Sequence, residues 1–169
     1  MITRHWGFKL YGEPKPKGSM KCIGARGKVK HQLVESVDNE GWREVVTAGA
    51  RRFMHEQADH HQSVYVELTF SLSRPRSHYG TGRNAHRVAN SAPVWPTLQG
   101  AGDSDKFARL VLDALQDAGV LRNDAQVRPL YVDKAYWDPH PVILRETLSR
   151  DVLSRAGVVV RIRPGRERG

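Results

Sequence analysis

The hydrophobic positions of this chain follow two rhythms. In "SVYVELTFSL", Val64, Val66, Leu68, Phe70 and Leu72 alternate with Tyr65, Glu67, Thr69 and Ser71, which predicts a strand with one buried face. Weaker strand signals sit at Gly7 to Tyr11, stopped by the Pro14/Pro16 loop "GEPKPKGS", and at "KCIGARGKVKHQLV", read as a hairpin turning at Gly24 to Gly27. "VRPLYVDKAYW" is a strand that Pro129 confines to a sheet edge or to the strand's first residues, and Gly157 releases "VVVRIRP" as the last strand. The second rhythm is helical. Trp42, Val45, Val46, Gly49 and Phe53 follow the capping candidates Asp38 and Asn39, so a helix runs to about Gln57. Phe107, Leu110, Val111, Ala114, Leu115 and Ala118 form a continuous stripe, closed by Gly119 in the C′ place. Leu144, Leu148, Val152 and Ala156 predict a third helix over 142–156.

These elements make an α/β (mixed α+β) chain: one compact domain over 1–169, a small mixed sheet and about three helices. Residues 73–102 have no sustained period and are rich in Gly, Pro, Ser and Asn. A loop this long inside a compact domain is functional or disordered.

With 169 residues, 39% hydrophobic and 27% charged, the chain can bury a core without disulfides or structural metals. Cys22 is the only cysteine, which excludes an intrachain disulfide and a cysteine-based zinc cluster and suits a cytoplasmic location. The opening residues do not read as a signal peptide, and no apolar run approaches the ~18 residues of a membrane helix. No membrane partner is expected.

Charge changes the picture more. The formal net charge is +9 with a pI near 10.0, an electrostatic footprint for nucleic acid. Lys9 to Lys30 holds seven Lys/Arg, among them Lys15, Lys17 and Lys21, against the single acid Glu13. Ser71 to Gly102 has no acid but carries Arg74, Arg76, Arg83 and Arg87. These seven numbered side chains are the expected DNA contacts.

Against this background, "QGAGDSDKFARLVLDALQDAG" puts Asp103 and Asp105 at the mouth of a helix. Helix capping explains one carboxylate well and the second adequately. It does not explain Asp124. The helix climbs ~20 Å, and an extended Val120 to Asp124 returns ~16 Å, which would bring Asp124 beside the helix start. Three carboxylates meeting without a counterion repel one another, and a divalent cation removes that cost. All-oxygen ligation suits Mg²⁺ or Mn²⁺.

These residues carry a resemblance. "GDSDKFARLVLDAL" followed by "RNDAQV" resembles the signature of RusA-type Holliday junction resolvases, small endonucleases common in phages and prophages. The family pattern is an Asp-x-Asp entering a helix that ends in Leu-Asp-Ala-Leu, then Asp-(Ser/Ala/Gly)-Gln-(Val/Ile) before a strand. Here the residues are Asp103, Asp105, Leu112 to Leu115 and Asp124 to Val127. "FKLYGEPKPKGSMK" is similar to the family's first strand and Pro/Lys loop, and "RPRSHYGTGRNA" to a loop of phage-borne members. Nothing over 138–157 matches, so a helical insertion is expected there.

The resemblance implies a cytoplasmic, phage- or prophage-encoded, homodimeric enzyme that hydrolyses phosphodiesters of four-way or other branched DNA. It implies that Asp103, Asp105 and Asp124 bind the metal and that Arg109 holds the place of a basic residue, usually lysine, one turn along. Lys106 stands where members often have Asn, and Asn123 where they often have Asp. Either Arg109 or Lys106 could meet the scissile phosphate. The rival reading is a non-catalytic DNA-binding or recombination-accessory protein, which needs no converging carboxylates. A restriction-type Glu-x-Lys strand is disfavoured, because Glu67-Leu68-Thr69 lacks the lysine. Trp95, between Pro93 and Pro96, either stacks on a base or anchors its loop.

Overall fold

The computed structural model of the chain describes residues 1–18, 20–22, 33–35, 39–143 and 149–165. Six strands and two α-helices follow one another as β1 (Trp6–Tyr11), β2 (Met20–Cys22), β3 (Leu33–Glu35), α1 (Glu40–Phe53), β4 (Val64–Leu72), α2 (Ser104–Asp117), β5 (Val127–Tyr136) and β6 (Gly157–Pro164). The main sheet has the order β1-β6-β4-β5. β6 pairs antiparallel with both β1 and β4, and β4 pairs parallel with β5, from Val64 opposite Val127 to Leu72 opposite Tyr136. β2 and β3 form a separate antiparallel ribbon, so the hairpin is present, while its turn at Gly24 to Gly27 lies outside the described residues.

Both helices pack on one face of the sheet. Val64, Val66, Leu68, Phe70, Val158, Val160 and Ile162 meet Trp42, Val46, Ala50, Leu110, Val111 and Leu115 in one core. α1 ends earlier than the pattern suggests and rolls slightly, so Val45 and Phe53 are largely exposed while Thr47 and Ala50 are buried. On β4 the alternation holds only at its start. Thr69 and Ser71 are also buried, because the strand is central and the segment before β6 covers its second face. The Leu153 N–H donates to Ser71 Oγ at 2.8 Å.

That covering segment corrects the expectation of three helices: the described residues contain two α-helices. Residues 142–143 and 149–156 are turns and irregular chain, and the rest of the expected third helix, 144–148, lies outside the described residues. Pro129 does sit near the start of β5, and β5 is a sheet edge. Nor is the 73–102 stretch featureless. It holds short 3₁₀ turns at Arg76–His78, Gly82–Asn84 and Gln99–Ala101, with a bridge between Tyr79 and Val88.

Candidate active site at the carboxyl ends of the parallel strands

Because β4 and β5 are parallel, the connection between them must travel back along the sheet, and α2 makes that return. Its N-terminus therefore lies beyond the carboxyl ends of both strands, where open α/β sheets place their ligand crevices. A cleft there is lined by Glu13, Lys15, Leu72, Ser73, Gly102 and Tyr136, among others. Asp103 and Asp105 open the helix beside it.

Gly102 shapes this entry. Its φ of +78° is left-handed, and a Cβ added there would stand 2.8 Å from the Phe107 ring. Lys134, on β5, donates to the Gly102 carbonyl at 2.6 Å and fixes the turn from below. Asp103 occupies the N-cap position but makes no side-chain capping bond. Its carboxylate instead meets Lys106 Nζ at 2.9 Å. That hydrogen bond and charge, with Lys134 adding a smaller attraction, hold the Asp103 carboxyl below the usual carboxylate range, and the same bond raises Lys106. Capping is therefore not what Asp103 does.

Arg109 lies exposed one turn beyond Asp105, and among the described residues no acid pairs with it. Asp113 has a partner the sequence does not reveal. Lys17 Nζ meets its carboxylate at 2.5 Å, and the Lys17 N–H donates to the Lys106 carbonyl at 3.0 Å. The Pro/Lys loop is thus clamped along α2 by Lys17. Lys15, Arg76, Arg83 and Arg87 are exposed. Of Lys21, the structure gives only its place in β2.

Two expectations need correction. Arg74 is not a free DNA contact. It is 6% exposed, and its guanidinium donates to the carbonyls of Asp138 (2.7 Å), Pro93 (2.6 Å) and Val94 (3.2 Å) while lying 4.1 Å over the Tyr136 ring. Asp124, in turn, does not reach Asp103 and Asp105 within one chain. Val120 and Leu121 are spent closing α2, and Asn123 then caps a 3₁₀ turn at Asp124–Gln126. Gln126 bonds the Asp59 carbonyl at the amino end of the sheet's parallel pair. β5 starts only afterwards and delivers Lys134, not Asp124, to the helix start. α2, 14 residues and roughly 20 Å long, runs between the two acidic positions along the chain. Among the described residues, no three His, Cys, Asp or Glu side chains are grouped to hold a metal ion.

What decides the family is the sequence as a whole. The family model for endodeoxyribonuclease RusA matches residues 12–144, most of the chain. The chain belongs to the RusA family. This places it among nucleases that resolve Holliday junctions and makes branched DNA its class of substrate. The matched span runs from the Pro/Lys loop through α2 and β5, so every part of the cleft lies inside it, while β6 lies beyond it. Comparison with curated proteins finds no match for the chain. No helix among the described residues is long and apolar enough to cross a membrane.

Proposed function

We propose that this RusA-family chain cuts four-way junctions as a C2 homodimer whose acidic set is completed between the two copies. The observation that carries this reading is the separation just described: Asp103 and Asp105 at the carboxyl end of β5, Asp124 at its amino end. Within one chain these residues do not fit one divalent cation. β5 is an edge strand with Leu130 39% and Tyr131 57% exposed. A second β5 set antiparallel beside it exchanges the two ends, so that each copy's Asp124 approaches the other's Asp103 and Asp105. Two copies also supply the two matched cuts that a four-way junction requires.

The combined set offers carboxylate oxygens only, a donor chemistry that suits Mg²⁺ or Mn²⁺. Such an ion, when bound, supplies an activated water and neutralises charge at the phosphate. The chain's own residues do the rest. Lys106 keeps Asp103 ionised and oriented. Arg109, unpaired and one turn along, is the cation that meets the non-bridging phosphate oxygens as charge develops. Lys15, Arg76, Arg83 and Arg87 hold the arms by their phosphates.

The test is complementation. Asp105→Asn and Asp124→Asn are each expected to abolish Mg²⁺-dependent cleavage of a labelled four-way junction while leaving junction binding in EDTA intact. Co-expressed with different tags and purified as the mixed dimer, the two variants regain one complete set and nick the junction, because both lesions fall in the same shared site. A mixed dimer without activity places all three aspartates in one chain. Wild-type protein that cleaves no branched DNA with any divalent ion overturns the nuclease assignment altogether.

A further inference from the structure

Trp95 carries an inference beyond cleavage. An indole of this size is ordinarily mostly buried, yet Trp95 is 43% exposed, and Leu98, three residues on, is 53% exposed. Among the described residues no ring, cation or hydrogen bond engages the Trp95 side chain. It gives its loop no polar anchor. That task belongs to Arg74, whose buried guanidinium holds the carbonyls of Pro93 and Val94, the two residues immediately before the tryptophan. Pro96, immediately after it, is buried, and the Thr97 N–H turns back onto the Trp95 carbonyl at 2.9 Å. The backbone on both sides of Trp95 is fixed while nearly half of the residue's surface is left open to solvent. Eight residues later the chain enters the cleft at Asp103, through a second tight turn in which the Ala101 N–H donates to the Leu98 carbonyl at 2.8 Å.

We infer that Trp95, with Leu98 beside it, is a stacking wedge for an unpaired or unstacked nucleobase at the branch point of the DNA substrate. This rests on the proposed action at four-way junctions and adds how the branch is recognised. A base presents a flat π-face, which an indole held in place meets without ordering cost. Charge selects nucleic acid over a second copy of the chain as the occupant. From Ser71 to Gly102 there is no acidic residue, and Arg76, Arg83 and Arg87 are exposed along the same loop. Two such loops repel each other, whereas a polyanion is drawn to them. The wedge thus discriminates by access: a duplex arm keeps its bases stacked, and a branch point exposes them.

The experiment uses the full-length protein in EDTA, so that binding is read without cleavage. The substrate is a four-way junction carrying 2-aminopurine at the branch point, compared with the same label inside an arm and with a linear duplex. Wild-type protein should change the branch-point fluorescence and leave the arm label unaffected. Trp95→Ala should lose that signal and weaken junction binding roughly 5- to 100-fold with duplex binding nearly unchanged, while Trp95→Phe keeps most of both. Unchanged junction preference and branch-point signal in Trp95→Ala overturn the wedge. So does a changed sedimentation coefficient in that variant, which assigns Trp95 to an interface between copies. Wild-type protein with no preference for the junction over duplex overturns the junction reading itself, a result separable from loss of the wedge alone.

Discussion

At the residue scale, the candidate site is organised by which cation each carboxylate has. Lys106 is committed to Asp103, and Arg109 has no acid partner among the described residues. Arg109→Ala should therefore reduce cleavage about 10²- to 10³-fold, the cost of losing one donor to transition-state charge, with only a small loss of junction affinity. Equal losses in rate and affinity would make Arg109 an ordinary phosphate contact. His78 allows a prediction on pH. Burial, and secondarily the nearby Arg74 charge, keep its ring neutral and its pKa below the ordinary value near 6.5. As pH falls, the unfolded chain takes up that proton before the folded one does. The stability His78 allows is thus whole above about pH 6.5 and drains away as pH falls from there through the folded value. His78→Phe, which keeps an aromatic ring against Tyr136, should flatten the fall in melting temperature below pH 6.5; an unaltered slope would clear His78 of the effect.

At the element scale, α2 is finished at both ends by glycines that sequence rules handle unequally. Gly119, φ +78°, closes a Schellman motif in which the N–H of Val120 reaches the Leu115 carbonyl and that of Gly119 reaches Gln116, and the stripe before it made this end legible. Gly102 has the same φ but is needed for the close approach of the Phe107 ring, a tertiary fact. Gly102→Ala should cost about 1–3 kcal/mol, from the left-handed backbone and the displaced ring, and lower the melting temperature by several degrees. A variant as stable as wild type would show that the turn adapts. β4 and α2 could be read in advance from their hydrophobic periods, and β5 and β6 from apolar runs bounded by Pro129 and Gly157. The third helix could not. Among the described residues of that segment, Val152 and Ala156 are only partly buried in irregular chain, and the side chain that is buried, Leu153, falls off the i+4 row. Its segment is instead tied to the sheet, by the Leu153 N–H on Ser71 and by Asp151 bridging to Arg161. The same reason limits the reading of the site. Asp103 and Asp105 are local to a helix start, whereas the place of Asp124 depends on where β5 begins, and the Asn123/Gln126 capping box settled that.

At the scale of the whole molecule, the two ends of β5 turn a question about ligands into one about association. An ion held by carboxylates from two chains binds the dimer and not the free subunit, so it must act on the monomer–dimer equilibrium. With free Mn²⁺ at a hundred times its dissociation constant, each shared site contributes ~2.7 kcal/mol, and two sites tighten the dimer by about 10⁴-fold. Sedimentation equilibrium across a Mn²⁺ series should show this tightening for the wild-type chain. Asp103→Asn and Asp124→Asn should each remove most of it, even though these residues stand at opposite ends of β5 within one subunit. The response should also depend on concentration: well above the dimer's dissociation constant nearly all chains are already paired, and Mn²⁺ raises the melting temperature without altering the measured mass. Near or below that constant, the ion raises the mass as well. A site built inside one chain behaves differently, since it stabilises the free subunit and the dimer alike and leaves their equilibrium where it was. Mn²⁺ that raises the melting temperature at every protein concentration, with the dimer constant unmoved, would place the ion within a single subunit and dissolve the shared acidic set.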